Sequence, residues 1–460
     1  MPKYIQDNRR WGRRKKGHGL ATVAVVLLGG FIILELVLMS MEIKARQGRP
    51  GAPVVEVAFS APLTARPDQR PGPGLDKKEL ADLIGSRSLG GEANHLLEIS
   101  DRSGQALFVR TTLLPDLQDL SDAWVRGSRA RQAALVVLNP DNGEVLTLAG
   151  YRDDGEEKNA ALAGSFPAAS LFKIVTAAAA VEKAELSADS KLAYDGGKHT
   201  LYKNNLAKEP DQGRQVTTLE ASFAESINSV FGKLGASTLG PEELADIAGR
   251  FGFNHDIDFE MPVEVSSFSV DGDDEFHLAE LASGFNRSTK VSPLHGAMIA
   301  ATVVGGGILY DPSMVREVFD RENRIHYRAE PARSREIISP KTAAEMTRMM
   351  RLAVEEGTGR RVLGAAAREH PILSRLIIGG KSGTINNDQG QRVDWFVAWA
   401  QPKPGTGCQD RLALSAVVVH DGQTTTTSQR LIRDALAAYY KNRLNGSQKK
   451  STTTAGRSAS

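Results

Sequence analysis

The sequence Ser-Leu-Phe-Lys at residues 170–173 begins an apolar, alanine-rich stretch, LFKIVTAAAAVE, at 171–182. A serine hydroxyl needs a nearby base before it can act as a nucleophile. Residues three apart lie on one face of a helix, so Lys173 can place its amine beside Ser170. An amine in apolar surroundings loses its proton more easily, and the free N–H groups of a helix N-terminus favour developing negative charge. The stretch therefore predicts a serine nucleophile, its base and an anion-stabilising helix end.

The Ser-x-x-Lys pattern is a weak signal alone, because it recurs in the polar tail at 447–450 and short motifs match by chance. Two further patterns strengthen it. Ser-Ile-Asn at 226–228 supplies a hydroxyl for proton relay and an amide that donates and accepts hydrogen bonds. Lys-Ser-Gly-Thr at 381–384 supplies a lysine and two hydroxyls that can bind a carboxylate, on a predicted strand whose glycine permits close approach of a ligand.

Five apolar stretches predict strands. Residues 133–139 and 144–150 flank a Pro-Asp-Asn-Gly turn signal and predict a hairpin. Three later strands and a closing amphipathic helix are predicted at 375–384, 394–400, 411–420 and 428–444. The sequence between these two groups, at about 165–353, is mostly helical in pattern. We therefore expect an α+β fold, with one five-stranded antiparallel sheet flanked by helices and an additional all-helical subdomain.

The N-terminal part predicts a membrane anchor. Residues 1–18 hold seven Lys or Arg side chains and one Asp, a net charge of +6. The apolar stretch at 19–41, interrupted only by Glu35, is long enough for a transmembrane helix. The basic flank places the N-terminus in the cytoplasm and the bulk of the chain outside it. The expected location is therefore the cytoplasmic (inner) membrane, crossed once, with the bulk of the chain periplasmic or otherwise extracytoplasmic. A cleaved signal peptide is the alternative, but its hydrophobic region is normally shorter.

The rest of the chain divides by composition. Residues 42–104 form a Pro/Gly-rich linker and a short segment with a helical pattern at 77–85, and the folded domain is expected at 105–444. The polar tail at 445–460 is expected to be disordered. The overall charge is +2, so the chain beyond the basic tail carries −4, which argues against nucleic acid as a partner. One cysteine, Cys408, and the absence of a Cys/His cluster predict no metal and no cofactor.

These residues resemble the transpeptidase domain of penicillin-binding proteins, the enzymes that cross-link peptidoglycan, whose fold is shared with serine β-lactamases. The motif set Ser-x-x-Lys, Ser-x-Asn and Lys-Ser-Gly-Thr occurs in the order of that family. The resemblance extends over roughly 105–444. It includes a starting segment, a first hairpin, a nucleophile helix, a proline-leucine helix and an active-site strand with its neighbour, at 111–118, 134–150, 166–182, 291–307, 379–387 and 394–400.

The resemblance implies a role for each motif residue. Ser170 would be acylated by the penultimate D-alanine carbonyl of a stem peptide, or by a β-lactam, while Lys173 accepts its proton. The backbone N–H groups of Ser170 and Thr384 would form the oxyanion hole. Ser226 would return a proton to the leaving amine, and Asn228 would hold the substrate amide. The terminal carboxylate would be bound by the strand residues Lys381, Ser382, Gly383 and Thr384.

The chain departs from the family pattern in several places. Ala169 stands where members often have glycine before the nucleophile, and residues 283–286, Ser-Gly-Phe-Asn, match the family's glycine-containing stretch only loosely. No glycosyltransferase domain fits before residue 105, so a monofunctional enzyme is expected. Residues 42–104 are fewer than the non-catalytic region usual in monofunctional members.

The resemblance also implies partners and alternatives. Peptidoglycan stem peptides are the expected substrates and β-lactams the expected inhibitors. A membrane-embedded glycan polymerase and other cell-wall machinery are the expected partners. A D,D-carboxypeptidase or a β-lactamase would use the same acyl-enzyme and differ in how water is handled. A non-catalytic penicillin-binding scaffold or sensor would keep the fold for binding alone. The complete motif set argues against the scaffold, and a cytoplasmic tail of about 18 residues argues against the sensor.

Overall fold

The protein is represented by a computed structural model that describes residues 74–85, 96–155, 158–206, 215–270 and 274–455. The predicted basic tail, the predicted transmembrane helix at 19–41 and most of the linker lie outside these residues. Within the described ranges, no helix combines the length and the apolar character that crossing a membrane requires.

The central sheet has five antiparallel strands taken from both ends of the domain, as the sequence predicts. The two early strands form the expected hairpin around Gly143, whose φ of 77° is in the left-handed region that favours glycine. The three late strands continue the sheet on one side of it. In spatial order the strands are Leu376–Asn386, Arg392–Pro402, Leu412–Val419, Gln132–Leu138 and Val145–Arg152.

Helices cover both faces of this sheet, so its strands are apolar on both sides. Along Gln132–Leu138, alternate side chains enter two different hydrophobic clusters. One cluster lies against the closing helix, Ser428–Ala455, and the helix Pro115–Gly127. The other lies against Pro293–Val304. The closing helix is the one predicted at 428–444, and its backbone continues past that boundary to Ala455.

The part of the chain expected to be all-helical is mixed. Phe166–Pro167 pairs with Lys290–Val291, and Lys191–Tyr194 pairs with Gln215–Thr218. These strands are only two to four residues long and lack the longer period-2 pattern that predicts strands. The α-helices that the structure describes in this part are Lys173–Lys183, Leu219–Glu225, Asn228–Lys233, Pro241–Phe251, Glu275–Ser283, Pro293–Val304 and Pro340–Glu355. A short helix, Ala365–Glu369, follows it.

A second sheet of four strands was not predicted. It joins the hairpin Leu96–Ser100 and Ala106–Thr111 to the hairpin Val315–Asp320 and Ile325–Arg328. The first of these hairpins turns at residues 101–105, so the predicted domain boundary at 104 falls inside it. A further pair of short antiparallel strands, Ile308–Tyr310 and Ser334–Glu336, precedes and follows the second of these hairpins in the sequence.

The helix predicted at 77–85 is present as Lys77–Ile84 and begins with a capping box between Asp76 and Glu79. Lys77 attaches this helix to the domain. Its Nζ donates to the carbonyl oxygen of Asp258 at 2.9 Å and lies 4.0 Å from the buried carboxylate of Glu260.

Candidate active site

The nucleophile lies at the start of a buried helix. Ser170 is in a 3₁₀ turn, Ala169–Phe172, that leads directly into Lys173–Lys183. Ala169 has a φ of 49°, which is uncommon for a residue with a side chain and sharpens the turn. The indole of Trp395, in the central sheet, donates to the carbonyl oxygen of Pro167 at 2.9 Å. The serine is therefore held against the sheet by its own turn and by the strand beneath it.

The amine of Lys173 has three oxygen neighbours. Its Nζ is 2.9 Å from Ser170 Oγ and 2.7 Å from Asn228 Oδ1, and it also donates to the carbonyl oxygen of Ser283. The last two oxygens are acceptors only, so they take the two N–H bonds of a neutral amine. The lone pair is then directed at the hydroxyl of Ser170. The geometry therefore orients Lys173 as the base for this serine.

The surroundings of Lys173 favour the neutral amine. The side chain is fully buried, with the amine 5.6 Å from the centre of the Phe231 ring. Burial lowers the pKa of Lys173 well below its ordinary value, and the nearby charge of Lys381 lowers this pKa further.

The Ser-x-Asn residues lie at a break between two short helices. Ser226 ends the helix Leu219–Glu225 in a left-handed conformation, with φ 59° and ψ 47°, and Asn228 begins the next helix. The amide of Asn228 accepts from Lys173 and donates from Nδ2 to the carbonyl oxygen of His199 at 2.9 Å. These two bonds fix which side of the amide faces the lysine.

The Lys-Ser-Gly-Thr residues lie on a strand, as predicted, and the structure places this strand at the edge of the central sheet. Lys381 is fully buried, and its Nζ is 2.9 Å from Ser226 Oγ. Burial lowers the pKa of Lys381 to about 7. Ser382 donates to the hydroxyl of Thr358 at 2.7 Å, and Thr384 is exposed. A Cβ on Gly383 would lie 3.3 Å from that of Ala169, so the strand and the nucleophile turn are in contact.

The structure therefore brings all the predicted site residues into one region. Two sets of side-chain hydrogen bonds connect them: one joins Ser170, Lys173 and Asn228, and the other joins Ser226 to Lys381. The contact between Gly383 and the nucleophile turn places the predicted oxyanion donors on adjoining elements. Their role as donors stays a prediction.

Sequence reasoning missed several groups around this site. The carbonyl oxygens of Ser283 and His199 are backbone atoms, which residue type does not reveal. Gly284 packs against the backbone of the nucleophile turn, and Thr358 bonds to Ser382. Two sequence signals could have pointed to Gly284 and Thr358. They are the glycine in the loosely matching stretch at 283–286 and the Gly-Thr-Gly at 357–359.

The two buried lysines predict a bell-shaped pH dependence for acylation by an anionic β-lactam. The rate constant should rise with pH as Lys173 loses its proton, because only the neutral amine is a base. It should fall again as Lys381, with a pKa of about 7, loses the charge that attracts the ligand's carboxylate. Stopped-flow acylation across pH measures both limbs. A β-lactam methyl ester should keep the rise and lose the fall, and a fall that persists with the ester would contradict the assignment to Lys381.

The fold and this site define a class of protein: an acyltransferase in which a lysine activates a serine for attack on a carbonyl group. The protein-family model described as the penicillin binding protein transpeptidase domain matches residues 133–432 of this chain. The chain belongs to this family.

Similar proteins agree with this assignment. The peptidoglycan D,D-transpeptidase PbpA of Mycolicibacterium smegmatis is 26% identical over 387 residues, which cover 76% of this chain and 74% of that protein. The stage V sporulation protein D of Bacillus subtilis is 24% identical, over 54% of this chain and 39% of that protein. The crystal structure of PBPA from Mycobacterium tuberculosis matches with a TM-score of 0.58 at 23% identity, over 72% of this chain and 82% of that one. At this identity the structural likeness concerns the fold.

Proposed function

We propose that this protein is a peptidoglycan D,D-transpeptidase, which cross-links stem peptides through an acyl-enzyme on Ser170 and is acylated there by β-lactams. The observation that carries the proposal is the 2.9 Å contact between Lys173 Nζ and Ser170 Oγ, made by a buried amine whose other two contacts are acceptors. The names of similar proteins, among them the peptidoglycan D,D-transpeptidase PbpA, support the substrate class.

The first step forms the acyl-enzyme. The Oγ of Ser170 attacks the carbonyl carbon of the penultimate D-alanine while its proton passes to Lys173. The negative charge that develops on the carbonyl oxygen is stabilised by the backbone N–H groups of Ser170 and Thr384. The bond to the terminal D-alanine then breaks, and the proton held by Lys173 passes through the hydroxyl of Ser226 to the leaving nitrogen, so that Lys173 is neutral again. The hydroxyl of Ser226 lies 2.9 Å from Lys381 Nζ.

The second step transfers the acyl group to the amine of another stem peptide. Neutral Lys173 takes a proton from the attacking amine, and Ser170 regains its hydroxyl as the ester bond breaks. Asn228 holds the substrate amide, and the orientation of its own amide by Lys173 and by the carbonyl oxygen of His199 supports this role. Lys381, Ser382 and Thr384 bind the terminal carboxylate of the donor, and their position on one strand supports this role.

Two measurements on the purified protein test this function. Incubation with a fluorescent penicillin should give a stable adduct, which peptide mapping by mass spectrometry places on Ser170. Incubation with a D-alanyl-D-alanine peptide and a stem-peptide amine should give the cross-linked dimer and free D-alanine. No adduct on Ser170 would overturn the proposal. Free D-alanine without a dimer would indicate a carboxypeptidase, and an adduct that decays within seconds would indicate a β-lactamase.

We further propose that residues 19–41 anchor the protein in the cytoplasmic membrane, with the catalytic domain outside and a glycan polymerase of the membrane as partner. The length of the apolar stretch and its basic flank support this placement. Protease added to spheroplasts should digest the catalytic domain and leave residues 1–18 intact. Digestion of the catalytic domain only after lysis would contradict this orientation.

A further inference from the structure

Thr358 lies in a tight turn directly behind the active-site strand. The turn, Gly357-Thr358-Gly359, follows the helix Pro340–Glu355. A Cβ on Gly357 would lie 2.2 Å from the carbonyl oxygen of Ala224, so the backbone of the turn approaches the helix Leu219–Glu225 too closely for any side chain. The position of Thr358 is therefore fixed by the two glycines and by the elements on either side.

Thr358 connects two parts of the site. Its backbone N–H donates to the carbonyl oxygen of Ala224 at 3.1 Å, two residues before Ser226. Its hydroxyl accepts from Ser382 Oγ at 2.7 Å. Its carbonyl oxygen accepts from Gln429, on the closing helix, at 3.3 Å. A single residue thus joins the helix that ends at Ser226 to the strand that carries Ser382.

The hydroxyl pair can reverse its direction. A carboxylate only accepts hydrogen bonds, so Ser382 can bind one only by turning its O–H towards the ligand. In this structure that O–H is directed at Thr358. When Ser382 turns, its oxygen becomes free to accept, and the hydroxyl of Thr358 is already within 2.7 Å to donate.

We propose that Thr358 is a positioning residue for carboxylate recognition: its hydroxyl holds Ser382 and donates to it when Ser382 donates to the ligand. A hydroxyl that itself accepts a hydrogen bond is a stronger donor, since chains of such bonds polarise one another. Thr358 acts only through Ser382 and does not touch the ligand. The inference rests on the proposed function in taking the ligand to be a carboxylate-bearing acyl donor.

The test compares two ligands on the full-length protein. Benzylpenicillin carries the carboxylate, and its methyl ester does not. The readout is the ratio of their second-order acylation rate constants, in which the concentration of folded enzyme cancels. Thr358→Val, which keeps the shape and removes the hydroxyl, should lower this ratio about fivefold, the effect of one net hydrogen bond. Thr358→Ser, which keeps the hydroxyl, should leave this ratio near the wild-type value.

Two further variants separate positioning from a general structural effect. Thr342 lies near the start of the helix Pro340–Glu355, at the end opposite the turn of Thr358, and its hydroxyl bonds to Glu182. Thr342→Val removes this hydroxyl, so it should lower the melting temperature without changing the ratio of acylation rate constants. In a Ser382→Ala background, Thr358→Val should have no further effect on the ratio, because the residue through which it acts is absent.

An unchanged ratio in Thr358→Val, or an equal additional loss in the Ser382→Ala background, would overturn the inference while leaving the proposed function intact. If the wild-type protein forms no adduct on Ser170 with benzylpenicillin, the proposed function itself fails.

Discussion

Replacing Lys173 by methionine is expected to lower the rate constant for acylation of Ser170 by about three orders of magnitude, within the range of a lost general base. The amine is the group 2.9 Å from the serine hydroxyl, and its other contacts direct its lone pair there. Methionine is unbranched and fills a similar volume in an apolar site. The measurement is fluorescent-penicillin labelling followed in time.

The variant should remain folded. The change leaves the oxygens of Asn228 and Ser283 without their donor, at about 1–3 kcal/mol each, but it also removes the cost of burying an amine. Lys183→Met is the matched control, since Lys183 ends the same helix and pairs with Asp246 away from the site. It should label at the wild-type rate. Wild-type labelling of Lys173→Met would show that another group takes the proton from Ser170.

The central sheet was predictable because its strands are buried on both faces. Such strands read as continuous apolar runs, and Gln132–Leu138 and Leu412–Val419 are of this kind. The four-stranded sheet escaped prediction for the opposite reason. Its strands Val315–Asp320 and Ile325–Arg328 are short, contain charged residues and gain their stability from pairing with a hairpin about 200 residues earlier in the chain.

The candidate active site also has a part that the sequence predicts and a part that it does not. Ser170, Lys173 and Lys381 could be predicted because their chemistry is in their side chains and their spacing follows a known motif order. The acceptor on Ser283 and the contact of Gly284 with the nucleophile turn arise only when the helix Glu275–Ser283 packs against that turn. Backbone atoms carry no residue signature, so these contacts depend on tertiary structure.

Gly284 controls the position of the nucleophile through its backbone. It has a φ of 67°, and a Cβ built on it would lie 1.9 Å from the carbonyl oxygen of Ala169 and 3.1 Å from the backbone nitrogen of Ser170. Both are main-chain atoms, so a clash cannot be relieved by rotating a side chain. Either the nucleophile turn moves or the turn at Ser283 moves, and the latter carries an acceptor of Lys173.

Gly284→Ala is therefore expected to lower the acylation rate constant about a hundredfold, the effect of displacing a reacting group by about 1 Å. Gly306→Ala is the matched control: its φ is 75°, but nothing lies within 4 Å of the added Cβ. Both variants should lose about 1 kcal/mol of unfolding free energy from the strained backbone. Gly284→Ala should lose about 1–3 kcal/mol more from the clash with the nucleophile turn, and denaturant titration measures both losses. Only Gly284→Ala should lose acylation. Equal acylation by the two variants would show that the turn at 283–284 yields without moving Ser170 or Lys173, and that its packing does not set the geometry of the nucleophile.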